Sequence, residues 1–132
     1  MNLPLAAGAT DADCERAYDA VAWPILRAFK PDVMLISAGF DAYKDDPLAG
    51  MRLEAECFGR LTAQAVAIAD ASSGGRVVVV TEGGYHLKGI ADSLRSVIAA
   101  LDGTTSARAS APPAGATCCS RRARSSASPR GS

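Results

Sequence analysis

Apolar positions in the first 29 residues follow a helical spacing. Between residues 10 and 29, apolar side chains recur at steps of three and four, which predicts an amphipathic helix. Thr10 or Asp11 is well placed to cap its start. Pro24 lies inside the pattern and should kink or split the helix there, because proline has no amide hydrogen and crowds the preceding turn.

Two apolar runs without alternation follow, at residues 33–37 and 76–81. Such runs are typical of strands buried on both faces of a parallel sheet. Helical spacing predicts two further helices, at about 55–71 and 87–101, and the last carries a single apolar stripe. Residues 2–5 are a candidate for the end of one more strand.

The order helix, strand, helix, strand, helix predicts an α/β fold built around a right-handed βαβ unit. Two or three parallel strands leave both sheet edges open, and buried parallel strands need covered neighbours. We therefore expect the chain to be part of a larger parallel sheet with flanking helices.

Composition divides the chain at residue 103. Residues 1–102 hold 14 acidic and nine basic side chains, a formal charge of −5, whereas residues 103–132 hold five arginines and no acidic residue. The second segment also lacks Leu, Ile, Val, Phe, Tyr and Trp, so it cannot contribute to a core. We expect one domain at 1–102 and a disordered tail rich in Ala, Ser, Arg and Pro at 103–132.

Composition also limits the kinds of partner and the cellular location that we expect. No apolar run approaches the length of a membrane span, and no aromatic residue is interleaved with the tail arginines for stacking on bases, so neither membrane nor nucleic acid is expected. The amino end has no basic stretch ahead of an apolar run, which predicts no signal peptide and a cytoplasmic location. The four cysteines form neither a disulfide framework nor a zinc motif, and reduced thiols are expected.

Candidate chemistry lies in the two segments that follow the predicted strands, where ligands collect in open α/β sheets. Asp41 comes directly after a buried strand, where its carboxylate is either a metal ligand or an ordinary loop or capping side chain. Asp45 and Asp46 precede Pro47, a pattern typical of a turn. In the second segment, Gly83 and Gly84 would allow Tyr85 to be presented into a cleft or simply form a strand-to-helix turn. His86, the single histidine, is either catalytic or structural.

These two segments carry a family resemblance. Residues 37–50, SAGFDAYKDDPLAG, and residues 82–85, EGGY, closely resemble the carboxyl-terminal part of the zinc-dependent histone deacetylase and acetylpolyamine amidohydrolase family, of the class II and bacterial type. The resemblance extends from residue 2 to residue 101. It implies a three-layer arginase/deacetylase-like α/β fold, of which residues 1–102 are the carboxyl-terminal part.

The resemblance also implies roles at matching positions. Asp41 corresponds to one aspartate ligand of the catalytic zinc, and Tyr85 to the tyrosine that donates a hydrogen bond to the substrate carbonyl oxygen. Gly83 and Gly84 correspond to glycines that line the acyl-lysine tunnel, and Leu48 is similar to an apolar residue of its wall. The implied reaction is hydrolysis of acetyl-lysine or acetylpolyamine amides, with release of acetate.

The sequence also departs from the family. The Asp-x-His ligand pair and the His-His dyad of the family have no counterpart in this chain, which has one histidine. Tyr43 stands where the family usually has histidine, and no Ser or Thr is present near Glu54 to cap the following helix. One carboxylate is too few to hold zinc, so we expect the chain alone to be inactive and without bound zinc.

Two hypotheses of different classes follow. The first is a fragment of a zinc-dependent deacetylase that associates with a missing amino-terminal segment to become active. The second is a non-catalytic binding or scaffold protein that docks on a partner supplying the missing strands. A nucleotide-binding module is disfavoured, because neither GxGxxG nor GxxxxGK[ST] occurs.

Overall fold

The computed structural model describes residues 1–103, which form four α-helices and a two-stranded parallel sheet. A π-helical segment at Tyr18–Ala22 joins the first two helices. In chain order, the elements are α1 (Asp11–Ala17), α2 (Trp23–Phe29), β1 (Met34–Ala38), α3 (Ala55–Ser73), β2 (Val77–Thr81) and α4 (Leu87–Leu101). All five predicted elements are present, and α4 has the predicted limits.

The predicted first helix is split, as expected, but the break begins before the proline. The Trp23 amide donates to the Tyr18 carbonyl, so the wide π turn ends directly before Pro24, which stands in the first turn of α2. At that position a missing amide costs little, because the first turn has free donors anyway. At the start of α1, the Asp13 carboxylate accepts from the Thr10 amide and hydroxyl at 3.0 and 2.8 Å, confirming this capping site.

The strands pair in parallel, from Met34 opposite Val77 to Ala38 opposite Thr81. Their inner face packs on α2 and α3 through a core cluster formed by Trp23, Met34, Ala65, Ile68 and Ala69. Glu54 is the N-cap of the crossover helix α3, and its side chain forms no capping hydrogen bond, as the missing Ser or Thr predicts.

The prediction that both sheet faces are buried is wrong for the described part of the chain. Side chains alternate in burial along β1 and β2, and the outer face exposes Leu35 by 70 %, Val80 by 53 % and Val78 by 47 %. No described element covers this apolar face. Residues 2–5 do not form a strand in the structure, so that candidate is also wrong.

Helices α3 and α4 pack closely because small residues line their contact. A Cβ atom placed on Gly59 would lie 2.9 Å from the Ser96 carbonyl oxygen and 3.0 Å from its Cβ. Backbone atoms cannot swing aside as a flexible side chain can, so Gly59 sets the distance between these helices.

Two cysteines lie in a second core cluster. Cys14 of α1 and Cys57 of α3 are buried beside Leu53, and both thiols are free. They join the start of α1 to the start of α3. Cys118, Cys119 and the predicted disordered tail lie outside the described residues.

None of the helices in residues 1–103 is long and apolar enough to cross a membrane.

We expect Gly59→Val to destabilise the chain by about 1–3 kcal/mol, because the added atoms meet the Ser96 backbone. Ala67→Val, at an exposed position of the same helix, is the matched control for the lower helix propensity of valine. Urea unfolding of both variants measures the difference. Equal losses of stability in the two variants would show that the packing of α3 against α4 does not depend on Gly59.

Candidate functional site

Two loops meet at the carboxyl ends of the strands. We call residues 39–54 the β1 loop and residues 82–86 the β2 loop. The Glu82 amide donates to the Ala38 carbonyl at 2.9 Å, and the Phe40 amide donates to the Gly83 carbonyl at 2.8 Å. The Ser37 hydroxyl donates to the Glu82 carboxylate at 3.0 Å. These bonds continue the strand pairing into the loops and hold them side by side.

The half-buried carboxylate of Asp41 fits between two glycines, one from each loop. A Cβ atom on Gly39 would lie 3.2 Å from Asp41 Oδ1, and a Cβ atom on Gly83 would lie 3.2 Å from Asp41 Oδ2. Both contacts are tighter than an ordinary van der Waals approach. The two glycines therefore leave room for the carboxylate, and the structure brings Asp41 and Gly83 together.

Gly84 occupies a position that other residues would strain. Its φ is +134°, and a Cβ atom there would lie 2.9 Å from Ile90 Cγ1 and 3.2 Å from Phe40 Cβ. Phe40 is buried and packs edge-on against Phe58, with the ring centroids 5.3 Å apart. The turn before Tyr85 thus packs on the core at a position that only glycine occupies without strain.

Asp46 links the two loops, although the sequence pattern predicts only a turn. Its Oδ2 accepts from the Tyr85 amide at 2.7 Å, and its Oδ1 accepts from the Leu48 amide at 2.9 Å. The residue is 9 % exposed. The turn at Pro47 is present, but the same carboxylate also reaches across to the β2 loop, a role that the sequence analysis missed.

The environment of Asp46 favours its ionised form. Burial opposes ionisation, but hydrogen bonds from the amides of Leu48, Tyr85, Ala49 and His86 outweigh it and hold the pKa of this carboxyl below its usual value. Asp46 is therefore a carboxylate at neutral pH, and both of its side-chain oxygens can only accept hydrogen bonds.

His86 has a structural role in this arrangement. Its Nδ1 accepts from the Gly89 amide at 3.0 Å and so caps α4. Its ring stacks on Tyr43, with centroids 5.4 Å apart, and a Cβ atom on Gly89 would overlap the Tyr43 ring. Tyr43, where the family usually has histidine, thus serves as a packing residue. The structural interpretation of His86 is favoured over the catalytic one.

Tyr85 and Leu48 are open to solvent. Tyr85 is 60 % exposed and Leu48 is 67 % exposed. Their backbones are joined through the two oxygens of Asp46, so the predicted tunnel residues belong to one bonded unit. An exposed phenol hydroxyl can donate a hydrogen bond to a ligand, and an exposed leucine side chain can contact an aliphatic stem.

The described residues do not bring together a full set of metal ligands. Within residues 1–103, no three side chains from His, Cys, Asp and Glu come together as a ligand set. Asp41 fits the place of one oxygen ligand, and zinc in proteins takes at least three protein ligands. A metal at Asp41 would need further ligands from outside this part of the chain.

Comparison with known proteins identifies the domain. The model of the histone deacetylase domain matches residues 1–101. Histone deacetylase 10, chloroplastic, of Oryza sativa is 40% identical over 106 residues, which are 80% of this chain and 24% of the relative. Histone deacetylase 9 of Homo sapiens is 40% identical over 95 residues, 70% of this chain and 9% of the relative. The chain therefore spans about a quarter or less of the length of these relatives.

Solved structures agree. The structure of the histone deacetylase Clr3 matches with a TM-score of 0.71 at 31% identity, over 78% of this chain and 17% of that one. The HD domain of HDA15 matches with a TM-score of 0.70 at 38% identity, over 78% of this chain and 28% of that one. The chain shares the α/β fold of these domains, as the sequence predicts.

We expect Gly84→Ala to lower stability by about 1–3 kcal/mol, because the methyl group meets Ile90 and Phe40 and the backbone is strained. Gly50→Ala is the control, since Gly50 also has a positive φ but no atom within 4 Å of the added carbon. Thermal unfolding of both variants measures the difference. A loss no larger than that of Gly50→Ala would contradict the seating of this turn on the core.

Proposed function

The chain belongs to the histone deacetylase family, and we propose that it forms one wall of a zinc-dependent deacetylase active site whose remaining groups come from outside this chain. The observation that carries the proposal is the bonded pair of loops at the carboxyl edge of the sheet. There the backbone bond from Phe40 to Gly83 and the bond from the Tyr85 amide to the Asp46 carboxylate hold together the two loops that carry Asp41 and Tyr85.

Asp41 supplies one carboxylate ligand to the complete metal site. A Cβ atom on Gly39 or Gly83 would crowd its oxygens, so the carboxylate keeps its place only beside glycine. When bound in such a site, zinc polarises an amide carbonyl and lowers the pKa of a ligated water. The contribution of this chain is therefore a positioned oxygen ligand, not a whole site.

Tyr85 donates from its hydroxyl to the carbonyl oxygen of the substrate amide, where negative charge develops during hydrolysis. Such donors accelerate acyl transfer when their position is fixed in advance. Beside the substrate channel, Gly83 leaves space for the Asp41 carboxylate, and Gly84 lets the chain turn toward Tyr85 while it packs on Ile90 and Phe40. Leu48 supplies an exposed apolar contact for the aliphatic stem of the substrate.

We propose acetyl-lysine in a protein as the substrate, with acetylpolyamines as the alternative. An acetylated lysine has a neutral amide at the end of four methylene groups. This shape fits an apolar wall followed by a hydroxyl donor. The amide must reach Asp41 and Tyr85 at the sheet edge, which a long stem allows.

The incomplete surface of the sheet supports the need for a completing partner. The outer face exposes Leu35, Val78 and Val80, and each described strand pairs on one edge only. An open apolar groove of about 600 Å³ runs beside β1, between Leu35 and the amino-terminal residues Met1 and Leu3. Open edges and apolar faces of this kind are covered in stable α/β domains.

The same surface also favours a second function. A protein that docks its open face on a partner with complementary strands would act as a scaffold and need no chemistry. Activity of the completed domain and its dependence on Tyr85 separate the two functions.

We expect the 132-residue chain alone to release no acetate from an acetyl-lysine peptide in the presence of zinc, because residues 1–103 bring no set of three metal ligands together. Its zinc affinity should be the same in Asp41→Ala and in the control Asp45→Ala. Acetate assay and zinc titration measure the two properties. Turnover abolished by Asp41→Ala would overturn the claim that the chain needs a partner.

We expect activity in a chimera in which residues 1–101 replace the matching segment of the rice relative. Tyr85→Phe should lower its kcat by about 100- to 1000-fold, the usual effect of removing one oxyanion donor, and leave zinc bound. Tyr18→Phe is the control, since it makes the same change at the half-buried ring that packs on Trp23. A folded, zinc-loaded chimera without activity would favour the scaffold function.

A further inference from the structure

The carboxylate of Asp46 bonds to both residues that wall the proposed channel. We propose that Asp46 is a positioning residue: by holding the amides of Tyr85 and Leu48 on its two oxygens, it places the tyrosine hydroxyl against the substrate carbonyl. This inference rests on the proposed function, and it adds a residue that the family motifs do not assign to the site.

Both terminal atoms of the Asp46 side chain must be hydrogen-bond acceptors, because each faces a backbone amide. Oδ2 lies 2.7 Å from the Tyr85 nitrogen and Oδ1 lies 2.9 Å from the Leu48 nitrogen. An asparagine of the same shape would turn an NH₂ group toward one of these N–H groups, and two donors cannot bond to each other. A carboxylate serves both amides, and the bonds are strengthened by its charge.

Asp46 is itself held firmly. Its amide donates to the Tyr43 carbonyl at 2.9 Å, and the buried Tyr43 ring stacks on His86 and lies against Gly89. The Tyr43 amide donates in turn to the Phe40 carbonyl. The carboxylate is therefore anchored to the start of α4 and to the core, and it transmits that fixed position to the β2 loop.

Tyr85 needs such a restraint. Its side chain is 60 % exposed, so packing does little to fix it, and the two preceding residues are glycines. Without the bond to its amide, the backbone at Tyr85 would be free to shift. A displacement of about 1 Å in a catalytic group is sufficient to cost about 100-fold in rate.

The order Asp46, Pro47, Leu48 explains how one carboxylate serves two loops. Pro47 has no amide hydrogen, so the first donor after Asp46 within the turn is the Leu48 amide. One oxygen forms this local bond two residues along the chain, as in an Asx turn. The other oxygen remains free to accept from Tyr85, 39 residues further along the sequence.

The first experiment uses amide hydrogen exchange on the full 132-residue chain. In Asp46→Asn, we expect exchange at the Tyr85 amide to quicken about tenfold or more, because that amide then faces either a neutral acceptor or a second donor, while α4 interior amides stay unchanged. Asp45→Asn, the same change at the exposed neighbouring residue, should leave Tyr85 exchange as in the unmodified chain. Unchanged Tyr85 exchange in Asp46→Asn overturns the proposal.

The second experiment measures kinetics in the chimera. Asp46→Asn should lower kcat by about 100-fold with zinc content unchanged, and Asp45→Asn should have no effect. If Asp46 acts through Tyr85, the double variant Asp46→Asn/Tyr85→Phe should be no slower than Tyr85→Phe alone. Independent losses that multiply in the double variant would show a general structural role and overturn the positioning role.

The two experiments separate this inference from the proposed function. An inactive unmodified chimera would count against the deacetylase function, while the exchange experiment would still decide whether Asp46 restrains Tyr85. An active chimera with wild-type kcat in Asp46→Asn would count against the inference alone.

Discussion

Parallel pairing of β1 with β2 is the constraint on which the site depends. The register from Met34–Val77 to Ala38–Thr81 ends both strands at the same edge, and backbone bonds continue the pairing to Phe40 and Gly83. The crossover helix α3, held close to α4, makes that register possible. Because of this register, Asp41 and Tyr85 lie on one surface although they are more than forty residues apart in sequence.

The sequence predicts those parts of the structure that depend on local periodicity. The apolar stripe of α4 fixes its limits at Leu87 and Leu101, because nearly every turn places an apolar side chain on one face. The position of Asp41 after a buried strand also follows from the chain order. Asp46 could not be identified in this way, because a local turn pattern contains no information about the distant Tyr85 amide.

The burial of the strands shows a second limit on what the sequence predicts. Leu35, Val78 and Val80 lie in apolar runs, and such runs predict cover on both faces of the sheet. The pattern does not state what supplies the cover. Within residues 1–103 only one face is packed, and the chain spans about a quarter of the rice relative, so we infer that the rest of such a domain covers the other face.

The most direct test of the proposed site is a pair of crystal structures of the zinc-loaded chimera. One is the Tyr85→Phe variant bound to an acetyl-lysine peptide, and the other is the unmodified chimera bound to an amide that is not hydrolysed. We expect an Asp41 oxygen at about 2.0–2.2 Å from zinc in both and, in the unmodified chimera, the Tyr85 hydroxyl at about 2.5–3.0 Å from the ligand carbonyl oxygen. A zinc ion held without Asp41, or a ligand carbonyl beyond the reach of Tyr85, would contradict it.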